Sequence, residues 1–151
     1  RTNLDKLNDV KAFWENLGAM VEIMDPEYHD KVLAITSHIP HLIAYNIVGT
    51  ANDLANVNKK EVVKYSAGGF RDFTRIAASD PIMWRDIFIN NSDAVLEMLD
   101  YFSNDLDKLK AAIEDNDYEY LENFFKKTRN VRKNIIEAGQ DTQKVDFGRG
   151  D

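Results

Sequence analysis

All three histidines of the chain fall within thirteen residues: His29, His38 and His41. His38 and His41 are three apart, which places them side by side on one helical face. Such a pair can hold zinc, with Asp30 or Ser37 nearest as further ligands. The competing use is structural, as caps or as partners for buried polar groups. The second group of reactive types is Gly68-Gly69-Phe70-Arg71-Asp72-Phe73-Thr74-Arg75-Ile76-Ala77. On a helix Phe70, Phe73 and Ala77 face the core, while Arg71 and Arg75, four apart, present two guanidinium groups on the polar side. Like charges at that spacing repel mildly, and Arg85 adds a third cation shortly after. Arginines gathered in an acidic chain suit a dianionic small molecule, because each planar fork can take a carboxylate through two charge-assisted hydrogen bonds. The alternative is that Asp72 and Asp80 pair with them on a solvated surface, and the chemistry alone leaves both readings open.

Helices must position these residues. Leu4, Leu7, Val10, Phe13, Trp14 and Leu17 recur at helical spacing, with Thr2 or Asn3 as cap and Gly18 as the stop. Ala19 to Met24 alternates weakly and reads as a short strand, whose pairing partners would lie upstream. Asp25-Pro26 is a helix start, the carboxylate capping and the proline at the first turn. The helix then runs towards Asn52, and Pro40 should kink it where Ser37, His38 and His41 sit. Asn58-x-x-Glu61 reads as a capping box for a short helix ended by Gly68-Gly69. Another helix covers 70–78, and Asp80-Pro81 starts the next.

From Ser92 onward Val95, Leu99, Phe102, Leu106, Leu109 and Ile113 form a coiled-coil-like seam. After the polar break at Asp115, Asn116 and Asp117, a second stripe of Leu121, Phe124, Phe125, Thr128, Val131 and Ile135 runs to Gly139. Together they read as an antiparallel hairpin with more apolar surface than two helices can hide from each other, so a partner subunit should cover the remainder. Residues 140–151 carry no periodicity.

With 151 residues, 44% of them apolar, the chain has material for one globular unit. A net charge of -7 disfavours nucleic acid and anionic membranes as partners. Cysteine is absent, which excludes disulfides and thiolate metal sites, and with no signal-peptide pattern a cytoplasmic address is the economical expectation. Opening on Arg1 rather than Met, the sequence reads as part of something longer.

His29-Asp30, then Ser37-His38-Ile39-Pro40-His41, then Gly68 to Ala77 continued by Ser79, Pro81, Met83-Trp84 and Asp86-Ile87, resembles the prephenate dehydrogenase family, most closely the bacterial cyclohexadienyl dehydrogenases. The resemblance covers essentially the whole chain. It implies an all-α helical dimerisation and substrate-binding domain over 25–139, like the C-terminal domain of 6-phosphogluconate dehydrogenase. Residues 1–24 would be the last helix and strand of a Rossmann nucleotide-binding domain, and 140–151 a C-terminal tail. The implied activity is oxidative decarboxylation of prephenate or arogenate in tyrosine biosynthesis, with hydride passing to NAD or NADP. By the same resemblance Arg75 binds the ring carboxylate, and His41, with Ser37 and His38, lines the pocket for the side-chain end of the substrate or for tyrosine as inhibitor. Asp72 and Trp84 set Arg75 and pocket access, and Arg71 is a second anion contact. The family forms homodimers. No Gly-x-Gly-x-x-Gly occurs in the sequence, and no histidine is left to match the family's catalytic base, so this chain alone should neither cradle the dinucleotide nor turn over. A reading from another class is a helical dimerisation and interaction module that catalyses nothing.

Overall fold

The computed structural model describes residues 3–53 and 68–139, and all the regular structure there is helical. The elements are α1 (Leu4–Asn16), α2 (Pro26–Leu33), a π-helical turn (Ala34–His38), α3 (Ile39–Asp53), α4 (Gly68–Thr74), a 3-10 helix (Arg75–Ala78), α5 (Pro81–Asn90), α6 (Ser92–Glu114) and α7 (Tyr118–Glu137). The boundaries follow from local chemistry. Asn3 caps α1 by accepting from the Asp5 and Lys6 amides, and Gly18, at φ +88°, lets the Ala19 and Gly18 amides fold back on Trp14 and Glu15. Asp25 caps α2 and Asp80 caps α5, each ahead of a proline in the first turn.

Two expectations need correction. Ala19–Met24 has no regular structure, because a strand needs a hydrogen-bonding partner and no strand exists among the described residues. Gly68 and Gly69 are the first residues of α4 and neither takes the positive φ that a helix stop exploits, while the helix expected before them lies outside the described residues. The expected capping box at Asn58 and Glu61 and the tail from 140 lie outside the described residues.

α2, the π turn and α3 form one continuous 28-residue helix, Pro26–Asp53, long and apolar enough by length and composition to cross a membrane, yet with only 22% of its most apolar window buried. Pro40 lacks an N–H, and its ring would crowd the carbonyl four residues back. The chain answers with the π turn immediately before it, the Ile39 amide reaching back to the Ala34 carbonyl. The anticipated disturbance therefore takes the form of one wide turn. That turn meets α6 at the core, where Ala34 and Ile39 pack on Ala94 and Val95, with Leu42, Ile43, Phe88, Met98, Leu99 and Phe102 around them. Small side chains at Ala34 and Ala94 let the two backbones approach closely.

α6 and α7 are joined at the expected break. Asn116 takes φ +56°, the Asp117 amide bonds the Ala112 carbonyl at 2.8 Å, and the Asp117 side chain caps α7. The seam is buried only near its start: Leu106 is 53% exposed, Ile113 64%, Phe125 57% and Val131 54%. α1 likewise leaves Phe13, Trp14 and Leu17 exposed.

Candidate functional site

The site is built on the end of the π turn and the start of α3, with α5 packed against them. Trp84, on α5, is 6% exposed, and its indole is the centre of the cluster. The His41 ring stacks on it with centroids 3.6 Å apart and planes at 22°. His38 meets the same indole in a T-shaped contact at 6.1 Å and 78°, and Phe88 lies tilted beside it at 5.5 Å. Three residues apart, the two rings reach the same indole, His38 buried and His41 partly exposed.

Hydrogen bonds fix the two imidazoles differently. His41 Nδ1 lies 2.9 Å from the Ser37 carbonyl, which only accepts, so that nitrogen carries the proton and Nε2 is the atom left to meet a ligand. His38 Nδ1 lies 3.2 Å from the amide nitrogen of Asn91, which can only donate, so here Nδ1 is the bare acceptor. Burial of His38, with His41 beside it adding to the effect, pushes its pKa below the ordinary 6.5. Both rings are thus engaged with protein groups, and no set of three or more His, Asp or Glu side chains converges among the described residues.

The arginines occupy the segment packed along α3. Expected to act as a pair, they have different fates. Arg71 Nε sits 3.3 Å from Asp72 Oδ1, and Arg85 Nε sits 2.7 Å from Asp86 Oδ1. Arg75 is exposed and has neither ion pair nor hydrogen bond with any described residue. The helix tightens to 3-10 geometry at Arg75 itself, which shifts it off the α-helical register that would align it with Arg71. Phe73, expected in the core, is 45% exposed. Asp80, a possible partner for the arginines, caps α5 instead. The far end of the 3-10 helix is tied to α3 by the Tyr45 hydroxyl, which donates to the Ser79 carbonyl at 2.8 Å.

Among the described residues, two buried side-chain polar atoms have no hydrogen-bond partner: Trp84 Nε1 and Asp72 Oδ2. Unpaired buried groups are costly, and these two fall on residues singled out from the sequence. A cavity of about 670 Å³ runs beside the cluster along α3, lined by Leu42, Tyr45, Asn46, Gly49, Thr50 and Asp53. Neither His41 nor Arg75 lines it. The structure therefore unites Ser37, His38, His41 and Trp84, and places Arg71, Asp72 and Arg75 as a second group on the neighbouring segment. Tyr45 and Asn91 escaped the sequence reading: the first sat within the long apolar helix, and the second was not singled out.

The described residues form a helical domain with His41 stacked on the buried Trp84 and an exposed Arg75 on the 3-10 helix packed along α3. Comparison with known proteins makes this specific. The family model described as "Prephenate dehydrogenase, dimerization domain" matches residues 25–127. The chain is 44% identical over 123 residues to a cyclohexadienyl dehydrogenase of Zymomonas mobilis, covering 82% of this chain and 42% of the relative. To a prephenate dehydrogenase of Bacillus subtilis it is 35% identical over 135 residues, covering 89% and 36%. Among solved structures, prephenate dehydrogenase from Aquifex aeolicus in complex with hydroxyphenyl propionate and NAD+ superposes with a TM-score of 0.83 at 41% identity, over 89% of this chain and 46% of that one. Synechocystis arogenate dehydrogenase, at 22% identity and a TM-score of 0.80, shares the fold. The chain belongs to the prephenate dehydrogenase family and corresponds to its dimerization domain. It spans less than half the length of the relatives it matches.

Proposed function

We propose that this chain is the substrate-binding and dimerisation part of a prephenate or arogenate dehydrogenase of tyrosine biosynthesis. The observation that carries the reading is Arg75: an uncommitted guanidinium on a segment packed against α3, the helix whose His41 is held with Nε2 free. The Arg75 fork takes the ring carboxylate of the substrate, and His41 Nε2 meets the side-chain end. Trp84 holds the His41 ring flat against its own face and keeps water from one side of it. Arg71 stays with Asp72 and adds positive potential without direct grip.

The sequence supplies no glycine-rich dinucleotide cradle, so NAD or NADP is held by residues outside this chain, and none of its own side chains is assigned a step in hydride transfer. Residues 1–24 are assigned to the end of that nucleotide-binding domain and 25–139 to the helical domain. The bare outer halves of the α6 and α7 stripes, together with the apolar Pro26–Asp53 helix, support a homodimer. Tyrosine as a competing ligand at His41, and a cytoplasmic location, belong to the same proposal. The test is to join the chain to its nucleotide-binding domain and follow dinucleotide reduction with prephenate and with arogenate. Turnover of either that this chain alone does not support is the expected result; turnover of neither, by a folded protein, refutes the reading.

A further inference from the structure

Asn91 is the single residue linking α5 to α6, and it stands where an asparagine side chain ordinarily caps the following helix. It makes no such cap. Its amide nitrogen instead donates to the Asp30 carbonyl of α2 at 3.0 Å and to His38 Nδ1 at 3.2 Å, bridging two segments more than fifty residues away in sequence. The assignment of nitrogen rather than oxygen to this side is forced, since the Asp30 carbonyl is solely an acceptor. Both amide protons are then used, and neutral His38 must carry its own proton on Nε2. His38 in turn makes a T-shaped contact with the Trp84 indole, on which His41 stacks.

We propose that Asn91 is a positioning residue: it fixes the tautomer and orientation of His38 and, through His38, the Trp84–His41 stack. Its bearing on catalysis rests on the function proposed above, whereas its effect on the rings does not. A proton on His38 Nδ1 would face the Asn91 amide hydrogens and break the bridge. The other titratable groups facing that imidazole are His41 from α3 and Asp30 and His29 from α2; Asn91, between α5 and α6, and Trp84, from α5, do not titrate. An acceptor-only side chain at 91 reverses the arrangement by calling for Nδ1–H.

Nitrogen-15 spectra of the histidine rings in this chain read the tautomer directly. The wild type should show an unprotonated Nδ1 on His38 in mildly alkaline buffer. Asn91→Asp should move the proton to Nδ1 and raise the His38 titration midpoint. Asn91→Ala should leave a mixture of tautomers and shift the His41 ring-proton signals that depend on the Trp84 ring current. The Asn91 side chain makes no cap, so neither variant removes one, and both should keep the helix content of the wild type by circular dichroism. In the protein joined to its nucleotide-binding domain, Asn91→Ala should lower kcat/KM for prephenate about tenfold, a loss typical of slight misplacement at a site. Unchanged His38 spectra in both variants overturn the inference, as does an altered His38 with His41 unmoved or with full kcat/KM. A wild-type enzyme inert towards prephenate would instead remove the substrate reading, with the spectra still deciding the role of Asn91.

Discussion

Replacing Arg75 by lysine separates binding from stability more cleanly than any other change at this site. The side chain is exposed, begins a 3-10 helix and engages no described residue, so its removal takes away no folded-state ion pair. Surface changes of that kind usually stay within about 0.5 kcal/mol of neutral. Lysine keeps the charge and loses the planar fork, so the second charge-assisted hydrogen bond to a carboxylate goes with it. A bond of that class contributes about 1.5–3 kcal/mol, which corresponds to roughly a 10- to 150-fold fall in kcat/KM. The assay is steady-state kinetics of the enzyme containing this domain with prephenate, alongside thermal unfolding of the domain. A kcat/KM within about twofold of wild type, with an unchanged melting curve, would refute the assignment of Arg75 to the ring carboxylate. An equally large loss from Arg71→Lys would also count against it, because Arg71 is already held by Asp72.

Trp84→Ala removes the most buried large ring of the site and should destabilise the domain by about 3–5 kcal/mol, read by denaturant unfolding; a loss under about 1 kcal/mol would show that the stack does not support the fold. His38 has a folded pKa below its ordinary 6.5, so its contribution to stability is complete above that pH and is lost as pH falls towards the folded pKa. Unfolding measured across this range should show that decline in the wild type and less of it in His38→Gln; identical slopes would contradict the burial argument. The unpartnered seam predicts a particle of twice 17.3 kDa by light scattering. Val131→Glu, on the 54%-exposed stripe of α7, should shift it towards the monomer, and a dimer unaffected by it would place the interface elsewhere.

Much of the architecture is local and was therefore readable. Asn3, Asp25, Asp80 and Asp117 cap helices through their own side chains, and the α6 and α7 stripes follow the 3.6-residue period, so each boundary there is decided within a few residues of chain. The resemblance of the histidine and arginine strings likewise lay in the order of residues alone. Where the reading failed, the missing information was non-local. Ala19–Met24 alternates like a strand, but a strand is a relation between two segments. Gly68-Gly69 has the composition of a stop, but the backbone angle that makes it one is settled by what surrounds it.

The sequence determined which residues could do chemistry and that helices would carry them. Only the tertiary structure decided their states: that Arg71 is spent on Asp72 while Arg75 is not, that His38 is buried while His41 stacks partly exposed on Trp84, and that Asn91 gives up capping to hold an imidazole. The physical reason is that caps and periodicity are set by neighbours along the chain. Burial, tautomer and ion pairing are set by whichever groups the fold brings within about 3 Å, and no local pattern encodes those.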